Sequence, residues 1–259
     1  MSQTVLVERA DDIATVILNA PEKLNALSRG TWERLADVMA GLSAEDDLRC
    51  IVVRGAGDRA FAAGADIGEF ETERSDPESC KAYSRMVART MNTVAECRHP
   101  TIALIKGACV GGGLEIACCC DLRICGDSSR FGIPVNRLGL VMAHAELKML
   151  LDLVGRAQAL EILLEGRVFG AAEAKEKGLV NRVVPDADVE DEVYATAGRI
   201  AAGAPLVARW HKRFARRLLD PRPLTEKEVD EGIACFETED YRIGTRAFLE
   251  KKTPVFKGR

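Results

Sequence analysis

Two short turns of small residues, each ending in an acidic side chain, are the places where this sequence is best suited to chemistry. The first covers residues 60–66 (AFAAGAD) and the second covers residues 111–115 (GGGLE). Turns built from glycine and alanine let main-chain N–H groups approach a ligand closely. Two converging N–H donors, predicted at Ala65 and Gly112, can hold an oxygen that becomes negative during a reaction. The pattern therefore indicates chemistry at a carbonyl group, whose oxygen would be stabilised by main-chain N–H groups rather than by a metal ion.

The acid that ends the second turn is a candidate for proton transfer. The sequence from Gly113 onward predicts the first turn of a buried helix, whose free N–H groups would stabilise an oxyanion at Gly112. Glu115 lies in the same helical turn, so its carboxylate could move a proton to or from the carbon beside the carbonyl. The alternative is a glutamate that only serves the helix start electrostatically, and the turn alone favours neither. Asp66 is predicted to hold the first turn through bonds to the main chain.

Apolar runs and helical repeats alternate along most of the chain, as expected for an α/β protein with crossover connections. Strands are predicted at 5–7, 15–18, 51–53, 102–105 and 122–125. Helices are predicted at 32–42 and 83–94 from apolar residues at helical spacing. Both turns follow a strand-like run and lead into a helical pattern, so these elements would position them.

The strand signals stop near residue 187, and the remainder is predicted to be helical. We therefore expect a core over 1–190 that carries the site and a helical region over 191–259. Gly178 is predicted to end a helix at about 171–177. A basic cluster in the helical region has the spacing of a solvated helix face. It consists of Arg209, His211, Lys212, Arg213, Arg216 and Arg217.

Composition narrows the possible partners. The 259 residues carry a net charge of −4, which argues against nucleic acid or an anionic membrane as the main partner. The nine cysteines are irregularly spaced, which predicts free thiols in a reducing compartment and no metal site. No signal peptide or membrane-spanning run is evident, so a cytoplasmic location is expected.

Beyond these features, the chain resembles members of the crotonase, or enoyl-CoA hydratase/isomerase, superfamily. The resemblance runs nearly end to end, and together its motifs are highly specific. The matching stretches are 19–27 (NAPEKLNAL), 61–67 (FAAGADI), 107–121 (GACVGGGLEIACCCD), 131–134 (FGIP), 178–185 (GLVNRVVP) and 247–252 (AFLEKK).

The resemblance implies a spiral of ββα units followed by a helical trimerisation region, in a homotrimer or a dimer of trimers. It implies an acyl-CoA substrate whose thioester oxygen lies between the N–H groups of Ala65 and Gly112, with no cofactor besides the coenzyme A of the substrate. By the family pattern, coenzyme A is bound by several further residues. They are Leu24, Ala26 and Ala63 near the adenine, Arg59 toward the phosphates, and Phe248 and Lys251 toward a neighbouring subunit's coenzyme A. A second basic position of the family is Gly68 here, so that contact is lost.

This chain departs from the family pattern on one side of the expected site. Hydratases of the family commonly carry two catalytic glutamates, and the second position is Val135 here, which cannot transfer protons. The following loop, 140–147 (LVMAHAEL), lacks the family's glycines. His144 is a candidate replacement acid because histidine side chains ordinarily titrate near neutrality. The alternative is a histidine that only flanks the helix start, and Glu146 is a weaker candidate. The pocket wall is expected from 72–86 and 142–149.

The favoured function is hydration of a 2-enoyl-CoA with Glu115 as acid and base. An isomerase that shuttles one proton with Glu115 alone is the first alternative, and a decarboxylase or C–C hydrolase is more distant. A non-enzymatic relative that binds RNA or acts as a scaffold is the alternative from another class. The absence of the second glutamate at position 135, where Val135 stands, mildly favours this non-enzymatic alternative. The intact Glu115 and the acidic charge balance argue against it.

Overall fold

The computed structural model describes residues 3–73 and 75–259. The strands within them are β1 Val5–Ala10, β2 Ile13–Leu18, β3 Cys50–Gly55, β4 Ala60–Ala62, β5 Thr101–Ile105, β6 Ala108–Val110, β7 Leu122–Gly126, β8 Arg130–Gly132, β9 Phe169–Gly170 and β10 Arg182–Val184. The α-helices are α1 Arg29–Ala44, α2 Phe70–Glu73, α3 Pro77–Glu96, α4 Gly112–Cys119, α5 His144–Glu165, α6 Ala171–Glu176, α7 Val189–Ala201, α8 Pro205–Arg217, α9 Glu226–Glu231 and α10 Glu239–Glu250. Among the described residues, no helix is both long enough and apolar enough to cross a lipid bilayer.

The strands form two sheets, and the chain alternates between them. The larger sheet has the order β1-β2-β3-β5-β7-β10, and the smaller has the order β4-β6-β8-β9. β3, β5 and β7 lie in the larger sheet, and each is followed by a strand of the smaller sheet and then by helix. A ββα unit therefore repeats along the chain, which confirms the predicted α/β class.

The central strands are buried on both faces. β2, β3, β5 and β7 pair in parallel, and parallel strands covered by helices carry continuous apolar runs. On β3 the side chains alternate: Ile51 and Val53 face the main core formed with α1, α3 and α4. Cys50 and Val52 face the opposite side, where α7 packs. This alternation follows from the two-residue period of a strand.

Helix α7 crosses the boundary predicted at residue 190. Its apolar residues Val189, Val193 and Ala197 pack on the larger sheet, so α7 belongs with the sheets and the peripheral helices begin at α8. The prediction that the basic residues of α8 form a solvated face is wrong for Lys212. Its side chain is only 8% exposed, and its Nζ lies 2.7 Å from Asp121 Oδ2.

Most predicted elements are confirmed. Each of the five predicted strands lies within a strand of the larger sheet, and the two predicted helices correspond to α1 and α3. Gly178 ends the α6 region in the left-handed conformation, with φ of +74°. The sequence did not reveal β4, β6 and β8, which are three residues long and too short to show a period.

Candidate active site

A cavity of about 310 Å³ lies where the two small-residue turns meet. Its floor comes from the turns, one wall from α3, and the facing wall from the segment between β8 and the first turn of α5. The lining residues are Trp32, Ala63, Gly64, Ala65, Ile67, Phe70, Cys80, Tyr83, Ser84, Val87, Val110, Gly111, Gly112, Glu115, Pro134, Val135, Leu138, Leu140, Val141, Met142, Ala143 and Glu146. The cavity is therefore bounded by both segments predicted for the pocket wall, 72–86 and 142–149.

The two turns lie against each other at the base of the cavity. A Cβ atom built on Gly64 would lie 3.7 Å from the Gly112 nitrogen, and Gly64 has a φ of +104°. A short parallel bridge holds the first turn: Leu27 N–H donates to Gly64 O at 2.8 Å, and Asp66 N–H donates to Leu27 O at 3.0 Å. These two bonds flank Ala65, and its own N–H takes no part in the bridge. Ala65 and Gly112 thus lie side by side at the base of one cavity.

The second turn is packed so closely that only glycine fits. A Cβ on Gly112 would lie 2.9 Å from Cζ2 of the buried Trp32, and a Cβ on Gly113 would lie 2.2 Å from the carbonyl oxygen of Ala62. Gly111 precedes α4 with a φ of +52°, a conformation that glycine adopts at little cost. The turn therefore carries three glycines because of space and backbone conformation, and this packing fixes where the Gly112 amide lies.

Glu115 projects from the first turn of α4 toward the cavity. Gly112 begins the helix, and Glu115 N–H donates to Gly111 O at 3.0 Å. Residues three and four apart lie on the same helix face, and side chains tilt toward the helix N-terminus, so the Glu115 side chain lies over Gly111 and Gly112. The residue is 7% exposed and lines the cavity. A carboxylate and two main-chain N–H groups are thereby placed around one space.

On the facing wall, Glu146 and not His144 lines the cavity. His144 is the first residue of α5 and is exposed, and it is absent from the described lining. The hypothesis that His144 enters the site is therefore not supported by its position. Glu146 is half-buried, and its Oε2 accepts the Ala143 N–H at 2.7 Å. Val135 lines the same wall.

The residues predicted to bind coenzyme A fall in two places. Ala63 N–H donates to Leu24 O at 3.0 Å, and Ala26 N–H donates to Lys23 O at 3.1 Å, so Leu24, Ala26 and Ala63 lie close together beside the first turn. Arg59 is exposed just before β4. At the other end of the chain, Phe248 and Lys251 are exposed at the end of α10. Neither lines the described cavity.

Asp66 has the structural role that the sequence predicted. Its Oδ1 accepts the Gly68 N–H at 3.1 Å, and its Oδ2 lies 2.6 Å from Lys23 Nζ. The hydrogen bond from Lys23 is the main cause that lowers the pKa of the Asp66 carboxyl below its usual range. Asp66 therefore joins the first turn to the 19–27 segment as a carboxylate.

The cysteine run at the end of α4 is poorly suited to nucleophilic chemistry. Burial raises the pKa of Cys118 to about 12 and that of Cys120 to about 12, and it raises the pKa of Cys119 well above its usual range. Thiols with such pKa values are protonated near neutral pH and are poor nucleophiles. Within residues 3–73 and 75–259, no three His, Cys, Asp or Glu side chains are grouped so that they could hold a metal ion.

Some lining residues were predicted only as core. Trp32 and Val87 belong to the apolar stripes that identified α1 and α3, and they pack in the main core while also bounding the cavity. Periodicity shows that such residues face inward, and it does not distinguish a packed interior from the edge of a cavity.

Comparison with known proteins agrees with this geometry. The family model described as enoyl-CoA hydratase/isomerase matches residues 8–259. A Mycobacterium bovis protein named "probable enoyl-CoA hydratase" is 35% identical over 262 residues, which cover 98% of each chain. The crotonyl-CoA hydratase of Syntrophomonas wolfei is 31% identical over 256 residues, again covering 98% of each chain.

Solved structures give the same result for the fold. The crystal structure of an enoyl-CoA hydratase/carnithine racemase from Magnetospirillum magneticum superposes with a TM-score of 0.98 at 48% identity, covering 100% of this chain and 97% of the other. The structure of the enoyl-CoA hydratase from Bacillus anthracis gives a TM-score of 0.88 at 30% identity, covering 99% and 100%. With two adjoining amides and a buried glutamate at the base of a cavity in this fold, the chain belongs to the enoyl-CoA hydratase/isomerase family.

Proposed function

We propose that this protein adds water across the double bond of a 2-enoyl-CoA, with Glu115 as a catalytic acid and base. The observation that carries the proposal is that Ala65, Gly112 and Glu115 all line one cavity. The crotonyl-CoA hydratase of Syntrophomonas wolfei and the short-chain-enoyl-CoA hydratase of Clostridium acetobutylicum, relatives at 31% and 30% identity, support the same reaction class.

The two amides would stabilise charge on the thioester. As water adds to the β-carbon, electron density moves through the α-carbon onto the thioester oxygen. Hydrogen bonds from Ala65 N–H and Gly112 N–H strengthen as that oxygen becomes negative, which lowers the barrier. The start of α4 adds the partial positive charge of a helix N-terminus.

Glu115 would handle protons beside the same carbonyl. Its side chain lies over Gly111 and Gly112, so the α-carbon of a thioester held at Gly112 N–H would lie within its reach. A positioned carboxylate contributes roughly 100-fold to 10,000-fold to a proton transfer. The buried setting of Glu115 favours such a transfer, because water that competes for the proton is largely excluded.

Coenzyme A would be bound beside the first turn. The main chain at Leu24, Ala26 and Ala63 offers a surface for the adenine, and the exposed Arg59 offers a cation for the phosphates. Gly68 removes a second cation that the family pattern places there. We therefore expect weaker dependence of coenzyme A affinity on salt than in relatives with two such cations.

A homotrimer, or a dimer of trimers, is proposed as the working assembly. Large apolar side chains are exposed along the C-terminal helices, and extensive exposed apolar surface marks an interaction site. Copies of the same chain are the proposed partners, and Phe248 and Lys251 are proposed to reach a neighbour's coenzyme A. The exposed apolar residues are Leu218, Leu219, Leu224, Val229, Ile233, Phe236, Tyr241, Phe248, Leu249 and Val255.

We also propose a cytoplasmic location. All nine cysteines are free thiols, and six of them are buried. Free thiols in this number are typical of a reducing compartment.

Substitution of Glu115 by Gln tests the proposed function. Wild-type protein is expected to remove the absorbance of the conjugated thioester of crotonyl-CoA. Glu115→Gln is expected to lower the rate by roughly 100-fold to 10,000-fold while it still binds the ester, because the amide keeps the shape and loses the transferable proton. Glu176→Gln, an exposed glutamate of α6, is the matched control and should keep the wild-type rate. A Glu115→Gln variant at full rate would overturn the proposal.

Isomerisation is the second candidate, and Val135 favours it. With no carboxylate at position 135, Glu115 could carry one proton along the enoyl chain and leave water out of the reaction. Conversion of a 3-enoyl-CoA into the 2-enoyl-CoA without any hydration of the 2-enoyl-CoA would establish this alternative and exclude hydration.

A further inference from the structure

Two glutamates from different helices line the cavity. Glu115 comes from α4 at its base, beside the two turns, and Glu146 comes from the first turn of α5 on one wall. They are the two acidic residues in the described lining. We propose that Glu146 is the second catalytic acid and base of this enzyme and supplies the carboxylate that position 135 lacks. This proposal rests on the proposed hydration of a 2-enoyl-CoA.

The chain brings Glu146 to the wall that Val135 occupies. Val135 lies in a short 3₁₀ helix, Pro134–Leu138, and Leu140 N–H donates back to Val135 O at 3.0 Å. This bond turns the segment so that residues 140–143 line the cavity and α5 begins beside it. Val135 and Glu146 consequently share one wall, although they are eleven positions apart in sequence.

A main-chain bond orients the Glu146 head group. Oε2 accepts the Ala143 N–H at 2.7 Å, as a glutamate at the third helical position does when it caps a helix start. Ala143 has no side-chain oxygen, so the reciprocal bond of a full capping box is missing. One carboxylate oxygen is thus held by the main chain while the residue stays half-buried at the cavity.

Another helix of the protein shows the same capping bond without a catalytic cavity. At the start of α9, Glu228 Oε2 accepts the Thr225 N–H at 2.8 Å, and Thr225 Oγ1 accepts the Glu228 N–H at 3.3 Å. Glu228 also pairs with Arg217. A purely structural capping glutamate is therefore available in the same molecule as a control.

The reaction balances with two carboxyl groups. The water oxygen forms a bond to the β-carbon, and one water proton passes to the ionised carboxylate. The electron pair of the double bond forms the new bond between the α-carbon and a proton that the other, protonated glutamate gives up. Water is added across the double bond, and exchange of protons with solvent returns both glutamates to their starting states. No oxidant, reductant or metal is required.

Glu146→Gln separates the catalytic role from the capping role. Gln retains an oxygen that accepts the Ala143 N–H, but it cannot give or take a proton. For crotonyl-CoA hydration we expect the rate of Glu146→Gln to fall by roughly 100-fold to 10,000-fold, with one limb of the pH–rate profile lost. Affinity for a saturated acyl-CoA and the thermal midpoint should stay unchanged. Glu228→Gln should match the wild-type rate and pH profile.

The possible outcomes distinguish a failure of the Glu146 inference from a failure of the proposed hydratase function. If wild-type protein hydrates crotonyl-CoA and Glu146→Gln keeps its rate and both pH limbs, Glu146 is only a cap and the inference fails while the proposed function stands. If wild-type protein binds acyl-CoA and hydrates no 2-enoyl-CoA, the proposed function fails and the role of Glu146 fails with it. A rate loss in Glu146→Gln that is accompanied by an equal loss of acyl-CoA affinity would also overturn the inference, because it would indicate a binding defect.

Discussion

The two sheets that carry the cavity and the helices α8 to α10 differ in how their side chains are buried. Every residue of β5 is buried, and five of the six residues of β3 are. In α8 to α10 the buried residues are Pro205, Asp240 and Ala247. The first region is therefore stabilised mainly by apolar burial within the chain, and the second leaves much of its apolar surface uncovered.

Arginine side chains of α8 help to attach the C-terminal helices, where apolar packing is sparse. Arg209 Nη2 donates to Asp46 O at 2.8 Å, and Arg216 Nη1 donates to Ala95 O at 3.1 Å. Each bond runs from α8 to a main-chain carbonyl of the sheet-bearing part. The difference between the regions indicates that the site is held rigidly by its own core, while the C-terminal helices depend on polar bonds and, as proposed, on neighbouring subunits.

Gly113→Ala, in the closely packed region, is expected to have the largest effect on stability. The new Cβ would lie 2.2 Å from the Ala62 carbonyl oxygen, and main chain cannot move aside as a flexible side chain can. We expect a loss of about 3 kcal/mol in the free energy of unfolding, measured by urea titration. Gly198→Ala in α7, where nothing lies within 4 Å, should instead gain about 0.5–1 kcal/mol. Equal stability of Gly113→Ala and wild type would contradict the rigid-site interpretation.

Acid is expected to weaken the junction between the two regions. His99 is fully buried two residues before β5, and Lys212 of α8 donates to its carbonyl oxygen. Burial is the main cause that lowers the pKa of His99 from 6.5 to about 4, and the nearby cations Arg209 and Arg98 add to the effect. Between about pH 4 and pH 6.5, the unfolded chain therefore binds a proton at His99 and the folded chain does not.

The folded chain therefore loses stability as the pH falls, because the unfolded chain gains a proton at His99 first. The contribution of neutral His99 is complete above pH 6.5 and is lost as the pH falls toward about 4, by up to about 3 kcal/mol. Urea unfolding at several pH values measures it. His99→Gln should flatten this dependence, whereas His211→Gln, at an exposed position of α8, should leave it intact. An unaltered pH dependence in His99→Gln would assign the effect to other groups.

Phe236→Ser tests the region of α8 to α10, and it should have the smallest effect on the folding of a single chain. Phe236 is 56% exposed and contacts Tyr241 edge to face at 5.0 Å between ring centres. Because the ring is mostly solvated in the single chain, the free energy of unfolding should change by less than about 1 kcal/mol. The assembly proposed above should dissociate, as measured by sedimentation. Val7→Ser, on the exposed side of β1, is the control, and an unchanged mass for Phe236→Ser would count against an interface there.

The long elements could be predicted because their sequence patterns are local. The predicted strands of the larger sheet are apolar runs, and α1 and α3 carry apolar stripes over several turns. The smaller sheet was missed because β4, β6 and β8 are only three residues long. In such segments pairing with a neighbouring strand, and not residue preference, decides the structure. The buried pairing of Lys212 was missed for a similar reason, since a charged helical repeat does not show what faces it.

Local sequence was enough to predict the two turns, the family and the position of Glu115, because glycine conformation and the start of a helix depend on neighbouring residues. Packing between helices was needed to show which side chain of the α5 start lines the cavity. Successive helical residues differ by about 100° around the axis, so His144 and Glu146 point to nearly opposite sides. Which of them faces inward depends on how α5 packs beside α4, and that packing places Glu146 at the cavity and His144 in solvent.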